Sequence, residues 1–201
     1  EEFKSSITKD TVGAVVVHAA GEPMQSIEMV AEFCREKNVR LVEDCSQATG
    51  ATISEKKIGS FGDVGAFSTM YRKNLAAGAS SGLVFTRDFE LYKGLLGHAD
   101  RGKPYWKDAL DWETGDPAAL RDPGYAEYPA LNFNTSELSC AIGLESLNRL
   151  DETIATRRKF LEALIIEVRK RSKYCSPYRF HSGFSPIFFP IFVKTEKLRC
   201  T

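Results

Sequence analysis

Short apolar runs alternate with a helical period in the first part of the chain. Residues 13–18 and 39–43 form two apolar runs typical of buried strands. Between them, residues 26–37 have apolar side chains at every third or fourth position, namely Ile27, Val30, Ala31 and Cys34. This spacing predicts an amphipathic helix. A strand, a helix and a strand in this order predict a right-handed crossover within a parallel sheet.

The pattern continues with two more strands and then loses its regularity. Residues 64–68 and 83–86 are predicted strands, and Asp88 is placed to cap a helix that runs to about residue 96. Residues 97–130 show no clear period and contain both tryptophans with several glycines and prolines. Loops of this length are usually functional or disordered. The aromatic content here favours a lid or an interface segment near a site.

Helical periodicity returns at residue 135 and continues to about residue 172, with a bend predicted at Asp151. A helix of this length is expected to link a large domain, residues 1–148, to a small one, residues 149–201. Residues 187–193 are predicted as a strand. Pro190 predicts an edge position for this strand, because proline has no N–H to donate to a neighbouring strand.

Composition narrows the class of protein. The 27 basic and 27 acidic residues give a formal net charge of zero, so the charge balance does not support nucleic-acid or membrane binding. No apolar run is long enough to span a bilayer, and we expect no signal peptide from the first residues. The five cysteines are an odd number without a Cys-x-x-Cys pair, which indicates reduced thiols in a cytoplasmic protein.

Several kinds of site have no support in the sequence. The histidines, His18, His98 and His181, lie far apart without metal-binding spacing, so no metal site is predicted. His18 ends the first predicted strand, where it either approaches a site or is a satisfied structural residue. The chain has no Gly-x-Ser-x-Gly elbow, no P-loop and no His-Glu-x-x-His motif, which leaves serine hydrolase, NTPase and zinc protease activities without a basis.

Two predicted strands are followed by residues that suit one kind of chemistry. Asp44 comes directly after residues 39–43, Gln47 follows three positions later, and Lys73 follows residues 64–68. Ligands of open α/β sheets bind beyond the carboxyl ends of the strands. Pyridoxal phosphate needs a carboxylate at its pyridinium nitrogen and a lysine for its aldehyde. Gln47, in a helical turn, could point the same way as Asp44. The alternative is that Lys73 is an ordinary solvated lysine.

Three segments carry a resemblance to a known family: residues 43–48, residues 59–68 leading to Lys73, and residues 131–138. They resemble the DegT/DnrJ/EryC1/StrS family of pyridoxal-phosphate sugar aminotransferases, a branch of fold type I. The resemblance implies an α/β fold of three α/β/α layers with a mainly parallel sheet, forming an incomplete large domain, and the start of a small α+β C-terminal domain. Relatives extend beyond both ends, so we expect an internal fragment.

The resemblance also assigns roles to individual residues. It implies that Lys73 forms a Schiff base with the cofactor and that Asp44 pairs with the pyridinium nitrogen. Gln47 would lie at the ring hydroxyl, and Ser68 would bind the cofactor phosphate. Asn132 matches an asparagine that reaches the cofactor phosphate of the neighbouring subunit, which implies a homodimer with shared active sites.

Some positions depart from the family pattern or leave two interpretations open. Thr49 stands where many members have histidine, Ser81 replaces the first glycine of a pair, and Asn134 stands where many relatives have arginine. These departures concern the substrate more than the cofactor. Arg101 and Lys103 open the long loop, where they either form a solvated basic turn or meet an anionic substrate group.

The implied reaction is transamination of a keto-sugar, expected to be nucleotide-linked, with an amino acid such as glutamate as donor. It would serve polysaccharide biosynthesis in the cytoplasm. Lys73, displaced by the donor, would move a proton between the donor's α-carbon and the cofactor. Asp44 would keep the ring nitrogen protonated so that the ring accepts electrons.

The sequence leaves three alternative functions open. A related pyridoxal-phosphate sugar dehydratase would use the same cradle, but that variant has histidine in place of the lysine, and Lys73 is present. A non-catalytic regulatory or binding protein that keeps the fold would be indicated by loss of Asp44 or Lys73, and neither is lost. A nucleotide-binding domain unrelated to pyridoxal phosphate would need a Gly-x-Gly-x-x-Gly turn, which the chain does not contain.

Overall fold

A computed structural model of the chain describes residues 1–103 and 128–193. Most of the predicted lid or interface segment at residues 97–130 therefore lies outside the described residues. In chain order the elements are α1 (Glu2–Ser6), β1 (Gly13–Val17), a 3-10 turn (Ala19–Gly21), α2 (Ile27–Glu36), β2 (Arg40–Asp44), β3 (Thr52–Ile53), β4 (Lys56–Lys57), β5 (Val64–Ser68), β6 (Gly82–Phe85), α3 (Phe89–Ala99), α4 (Glu137–Asn148), α5 (Leu150–Arg171), β7 (Cys175–Pro177) and β8 (Ile191–Val193).

The chain divides into two compact units. One consists of Glu1–Phe85 with Leu138–Thr201, and the other is Thr86–Glu137. The first unit contains the main sheet, α2 and α5. The second contains α3, whose first turn is capped as predicted, because the Asp88 carboxylate accepts from the N–H groups of Glu90 and Leu91. The boundary between a large and a small domain after residue 148 stays a prediction.

Among the described residues, the main sheet has four strands in the spatial order β1, β2, β5, β6. β2 runs parallel to both β1 and β5, and β6 is antiparallel to β5. α2 connects the parallel neighbours β1 and β2, so the predicted strand–helix–strand unit is confirmed, while the right hand of its crossover stays a prediction. The predicted α/β class with a mainly parallel sheet is confirmed as well.

The core of the first unit lies between α2 and one face of this sheet. The predicted apolar face of α2 is buried, and it packs with Val16 of β1 and Leu41 of β2. Ile27 is fully buried in this cluster. Replacing such a side chain by alanine typically costs about 2–5 kcal/mol, so the α2 contact is a major source of stability.

A short hairpin, β3 with β4, was not predicted. Its two turn residues, Ser54 and Glu55, both have positive φ values of 48° and 67°. Two-residue hairpin turns of this geometry are normally marked by Asn-Gly or Asp-Gly, because those residues adopt positive φ most easily. The sequence therefore lacks the usual signal for this turn.

The C-terminal region differs from the prediction in two places. The helix breaks at Arg149, between α4 and α5, rather than at Asp151. The strand predicted at residues 187–193 is limited to β8, because Pro190 directly precedes it and the residues before Pro190 follow an irregular path. β8 pairs with β7, a strand that was not predicted. Among the described residues, no helix combines the length and apolar character needed to cross a membrane.

Candidate active site

The predicted site residues of the first unit lie at the carboxyl ends of β2 and β5. Asp44 ends β2 and pairs with Ala66 of β5, and Ser68 ends β5 two residues later. Side chains alternate along a strand, so Asp44 and Ser68 lie on the same face of the sheet. This is the edge at which open α/β sheets bind ligands.

Asp44 and Gln47 each accept a hydrogen bond from a backbone N–H. Asp44 is half-buried, and its Oδ1 accepts from the N–H of Ser46 at 2.9 Å. The carboxamide oxygen of Gln47 accepts from the N–H of Ala20 at 2.8 Å. Within the described part of the chain, no hydrogen bond uses Asp44 Oδ2 or Gln47 Nε2. One acceptor and one NH₂ donor thus stay available for a ligand.

Lys73 lies in the turn after β5, where its N–H donates to the carbonyl of Met70 at 2.9 Å. Its side chain is half-buried and lines a cavity of about 600 Å³. No ion pair among the described residues involves Lys73. The described residues that line this cavity do not include Asp44, Gln47 or Ser68. Among the described residues, the cavity is therefore in contact with Lys73 but not with the proposed ring and phosphate contacts.

Sequence reasoning missed a buried carboxylate next to Asp44. Glu43 is fully buried, and its two oxygens accept from the N–H groups of Gly59, Phe61 and Gly62 at 2.7–2.8 Å and from His18 Nε2 at 3.1 Å. Burial alone would raise the pKa of Glu43. The hydrogen bonds from His18 and from the three backbone N–H groups outweigh this effect and lower it below its usual value.

The hydrogen bonds of His18 define its role. Its Nδ1 accepts from the N–H of Met24 at 3.0 Å, so the ring proton lies on Nε2, which donates to Glu43. His18 is fully buried. Of its two interpretations, the structure supports the satisfied structural histidine. The signal for this pair was weak in the sequence, because Glu43 and His18 are separated by 25 positions.

Cys45 completes a buried cluster with His18 and Glu43, whose ligand-type atoms lie within 4.8 Å of one another. Burial, together with the charges of Glu43 and Asp44, raises the pKa of the Cys45 thiol far above its usual value. The histidine nitrogens and the Glu43 oxygens already take part in hydrogen bonds. The cluster is therefore organised by hydrogen bonds rather than as a set of free metal ligands.

A second buried network begins at Asn74, directly after Lys73. Asn74 Nδ2 donates to Ser185 Oγ at 2.6 Å, and that hydroxyl donates to the carbonyl of Thr49 at 2.6 Å. The Asn74 carboxamide oxygen accepts from Arg157 of α5. The network joins the turn of Lys73, the turn after β2 and the long helix, and nothing in the local sequence around these four residues predicted it.

The second unit contains the remaining predicted residues. Asn132 is exposed and pairs with Asp100 in an isolated antiparallel bridge. Asn134 Nδ2 donates to Asp100 Oδ1 at 2.9 Å. Arg101 forms an ion pair with the same carboxylate, at 2.8 Å, which favours the interpretation of residues 101–103 as a basic turn. The role of Asn132 at a neighbouring subunit stays a prediction.

The residues of the first unit fit pyridoxal phosphate chemically. A carboxylate oxygen, an NH₂ group and a lysine amine are each without a partner among the described residues, and these are the groups that the cofactor's ring nitrogen, ring hydroxyl and aldehyde require. Ser68 adds a half-buried hydroxyl on the same face as Asp44. No competing salt bridge among these residues would have to be broken.

Comparison with known proteins identifies relatives by sequence. The profile of the DegT/DnrJ/EryC1/StrS aminotransferase family matches residues 1–198. The chain is 28% identical over 182 residues to GDP-perosamine synthase of Escherichia coli O157:H7, which covers 86% of the chain and 44% of that protein. It is 32% identical over 179 residues to L-glutamine:2-deoxy-scyllo-inosose aminotransferase of Streptoalloteichus tenebrarius, which covers 87% of the chain and 40% of that enzyme.

Solved structures of other proteins are also similar to this chain. The E. coli GDP-4-keto-6-deoxy-D-mannose-3-dehydratase with bound hydrated PLP is similar with a TM-score of 0.80 and 26% identity, over 96% of this chain and 49% of that one. An aminotransferase from Psychrobacter cryohalolentis is similar with a TM-score of 0.70 and 30% identity, over 85% and 42%. The chain spans less than half the length of the curated relatives named here. The predicted fold and the predicted cofactor of the family are confirmed. The chain belongs to the DegT/DnrJ/EryC1/StrS aminotransferase family.

Proposed function

We propose that this chain is the cofactor-binding part of an aminotransferase that moves an amino group from an amino acid such as glutamate to a nucleotide-linked keto-sugar. The family match supports the reaction type. The substrate class is supported by relatives named GDP-perosamine synthase and UDP-N-acetyl-3-dehydro-alpha-D-glucosamine 3-aminotransferase. The predicted homodimer, the role of Asn132 in it and the cytoplasmic location belong to the same proposal.

Four side chains would divide the work of this reaction. When bound, pyridoxal phosphate supplies the aldehyde that takes up the amino group and the ring that accepts electrons. The Lys73 amine would hold the aldehyde and, once free, would move a proton at the donor's α-carbon. Asp44 Oδ2 would keep a proton on the ring nitrogen, Gln47 Nε2 would donate to the ring hydroxyl, and Ser68 Oγ would donate to the phosphate.

One observation carries the proposal. Lys73 and Asp44 follow neighbouring parallel strands at the same edge of the sheet, and both keep their reactive atoms without a partner among the described residues. An ordinary structural lysine or aspartate in a half-buried position would normally be paired, because desolvated charge is costly. Groups left open in this way are those that a ligand satisfies.

A sugar dehydratase is the second candidate. It is favoured by the similarity to GDP-4-keto-6-deoxy-D-mannose 3-dehydratase of Escherichia coli O55:H7, at 29% identity over 167 residues. The lysine at position 73 argues against it, because the dehydratase variant of the family has histidine there. A product assay separates the two, since an aminotransferase gives an amino sugar and a dehydratase gives a deoxy keto-sugar. The same assay tests the third candidate, a non-catalytic binding protein, which would give neither product.

The test of cofactor binding is a visible absorbance spectrum of the protein with pyridoxal phosphate, recorded before and after borohydride. We expect a band of the Lys73 adduct that borohydride removes, with the reduced adduct mapped by mass spectrometry to Lys73. An adduct at another lysine, or no band, would contradict the proposal. Lys9→Ala, at an exposed lysine far from Lys73 in the sequence, is the matched control and should leave the absorbance band unchanged.

Two substitutions test the assigned roles. Lys73→Ala should abolish transamination without unfolding the protein, because Lys73 is only half-buried and forms no ion pair among the described residues. Asp44→Asn should keep the cofactor but lower the rate by roughly 100-fold or more, since a neutral amide no longer favours the protonated ring. An unchanged rate for Asp44→Asn would remove Asp44 from the ring nitrogen.

A further inference from the structure

Arg157 is an unassigned cation next to the proposed catalytic lysine. It lies on α5, is half-buried, and lines the same cavity as Lys73. Its Nη1 donates to the carboxamide oxygen of Asn74, the residue that follows Lys73 in the chain. Arg157 and Lys73 are therefore connected in two ways, through the shared cavity and through Asn74.

Asn74 holds this guanidinium in a fixed orientation. It is only 5% exposed, and its NH₂ group donates to Ser185 Oγ at 2.6 Å. The same hydroxyl donates to the carbonyl of Thr49 at 2.6 Å, so Ser185 must accept from Asn74. The amide oxygen of Asn74 consequently faces Arg157. An arginine whose orientation is set by a buried neighbour is preorganised to bind a ligand.

The free edge of Arg157 is suited to a carboxylate. A guanidinium presents five N–H donors, and Nη1 is the nitrogen engaged by Asn74. In the described ranges, 1–103 and 128–193, no hydrogen bond or ion pair uses its Nε or Nη2. These two N–H groups form a parallel pair that matches the two oxygens of a carboxylate.

The remaining cavity wall is chiefly apolar, with Phe160, Leu164, Ile187 and Phe188 among its residues. No carboxylate of the described residues forms an ion pair with Lys73, Arg72 or Arg157. Lys73 and Arg157, two half-buried cations next to apolar side chains, favour an anion, because a partly desolvated charge is costly without a partner. The cavity is therefore built for an anionic group attached to an aliphatic body.

We infer that Arg157, oriented by Asn74, binds the α-carboxylate of the amino donor; this rests on the proposed aminotransferase function. The donor's amine replaces the Lys73 amine, and its carboxylate is attached to the same carbon as that amine. Its carboxylate must therefore lie close to Lys73, where Arg157 is found. The diphosphate of a nucleotide-linked sugar is separated from the reacting carbon by the sugar ring. Arg157 is thus a substrate-binding residue, and Asn74 is its positioning residue.

The test compares two half-reactions of the holoenzyme. The dissociation constant of L-glutamate is taken from the dependence of the single-turnover rate on donor concentration, and the KM of the nucleotide-linked amino sugar from the reverse half-reaction. Arg157→Gln should weaken glutamate binding about 10- to 100-fold, the effect of losing hydrogen bonds between charged groups. The KM of the amino sugar should stay unchanged. Arg169→Gln, at an exposed arginine of the same helix, is the matched control.

A binding measurement separates recognition from turnover. Calorimetric titration with glutarate, a dicarboxylate without an amine, should show binding to the wild-type protein and about 10-fold or weaker binding to Arg157→Gln. Arg157→Lys keeps the charge and loses the paired donors, so it should be intermediate, and it replaces Arg157→Gln if that variant does not fold. Asn74→Ala should weaken glutarate binding less than Arg157→Gln and add nothing to it in the double variant.

The results that overturn the inference differ from those that overturn the proposed function. If the wild-type protein shows the cofactor band but Arg157→Gln leaves glutamate and glutarate binding unchanged, Arg157 is not the carboxylate site. If only the KM of the amino sugar rises, Arg157 binds the diphosphate and the inference is wrong. If the wild-type protein shows no cofactor band, the proposed function fails, while the glutarate titration still tests Arg157.

Discussion

At the scale of single residues, adjacent carboxylates have opposite surroundings. Glu43 and Asp44 follow each other on β2, so their side chains point to opposite faces of the sheet. Glu43 points into the core and accepts from four donors, whereas Asp44 accepts one backbone N–H and its Oδ2 has no partner among the residues that the structure describes. Glu43 thus holds the loop of residues 59–62 in place, and Asp44 is available to a ligand.

Replacing Glu43 by glutamine should lower the free energy of unfolding by about 2–4 kcal/mol near neutral pH. An amide NH₂ in place of Oε2 would face the N–H of Gly59 and Nε2–H of His18, so donors would oppose donors. Chemical denaturation measures the difference. Glu36→Gln, at an exposed position at the end of α2, is the control and should have little effect.

The pH dependence of this difference has a definite sign. The pKa of Glu43 is lowered in the folded protein, so its stabilising contribution is fully present above the ordinary value of 4.5 and is lost as the pH falls through the lowered pKa. The difference in the free energy of unfolding between the wild-type protein and Glu43→Gln should therefore become smaller as the pH falls below 4.5. Asp63, whose pKa is also lowered, is common to both proteins and cancels. A free-energy difference that increases at low pH would contradict a lowered pKa for Glu43.

The sequence supported the site residues unevenly. Asp44, Gln47, Ser68 and Lys73 stand at strand ends or just after them, where spacing and strand order place them on one edge. The role of Glu43 could not be predicted from its place at the end of a predicted strand, because its four donors come from two distant segments of the chain. Contacts of this kind depend on how the chain returns to the sheet, which residue periodicity does not specify.

At the scale of elements, residues 181–186 connect the C-terminal region to the loops around the site. The N–H of Ser185 donates to the carbonyl of Gly21 at 2.8 Å, and the N–H of Thr52 donates to the carbonyl of Gly183 at 2.9 Å. Gly21 has a φ of +89°, and a Cβ there would lie 1.9 Å from the carbonyl oxygen of Ser185. Both the backbone conformation and the close approach require glycine at position 21.

Gly21→Ala should therefore destabilise the protein by about 1–3 kcal/mol, from backbone strain and displacement of Ser185. Because Ser185 holds Asn74, donor binding should weaken as well. Thermal unfolding and glutarate titration measure the two effects. Gly94→Ala is the control, and it should not lower stability. Gly94 lies within α3, and a Cβ added there would have no described atom within 4 Å. That substitution should be neutral or stabilise by up to about 1 kcal/mol.

Strands and helices with a clear period could be predicted, and irregular elements could not. β1, α2, β2, β5 and β6 were predicted to within about two residues at each end. The β3–β4 hairpin was missed, because Ser54 and Glu55 adopt positive φ without the residues that normally announce it. β8 was predicted too long because residues 187–189 are apolar, and the structure uses them to line the cavity of Lys73.

At the scale of the whole molecule, one face of the main sheet carries apolar side chains in contact with solvent. Val15 and Val17 of β1 are 64% and 54% exposed, and they lie on the same face as Asp44. β1 and β6 are also the edges of the sheet. Periodicity predicted the strands but gave no information on which face α2 would cover, since both faces of β1 are apolar.

The proposed homodimer gives a prediction for mixed subunits. If Asn132 serves the partner's cofactor phosphate, each of two equivalent sites combines Lys73 of one subunit with Asn132 of the other. Mixing Lys73→Ala with Asn132→Ala subunits then places both defects in one site and leaves the other intact. The hybrid should recover activity that neither parent shows, measured after hybrid dimers are confirmed by mass spectrometry. Hybrids without activity, from an Asn132→Ala parent that is itself impaired, would mean that Asn132 does not act across the dimer.

The raised pKa of Cys45 gives the protein an internal reporter of opening. Cys45 is 0% exposed and almost entirely in the thiol form, whereas Cys140 is exposed. Iodoacetamide reacts with thiolates, so it should modify Cys140 in the native protein and Cys45 only after β2 separates from its neighbours. The ratio of the two alkylation rates, followed by peptide mass spectrometry, would measure how often the strand that carries Asp44 opens, without an added label. Equal rates would show that the strand is open in the native state.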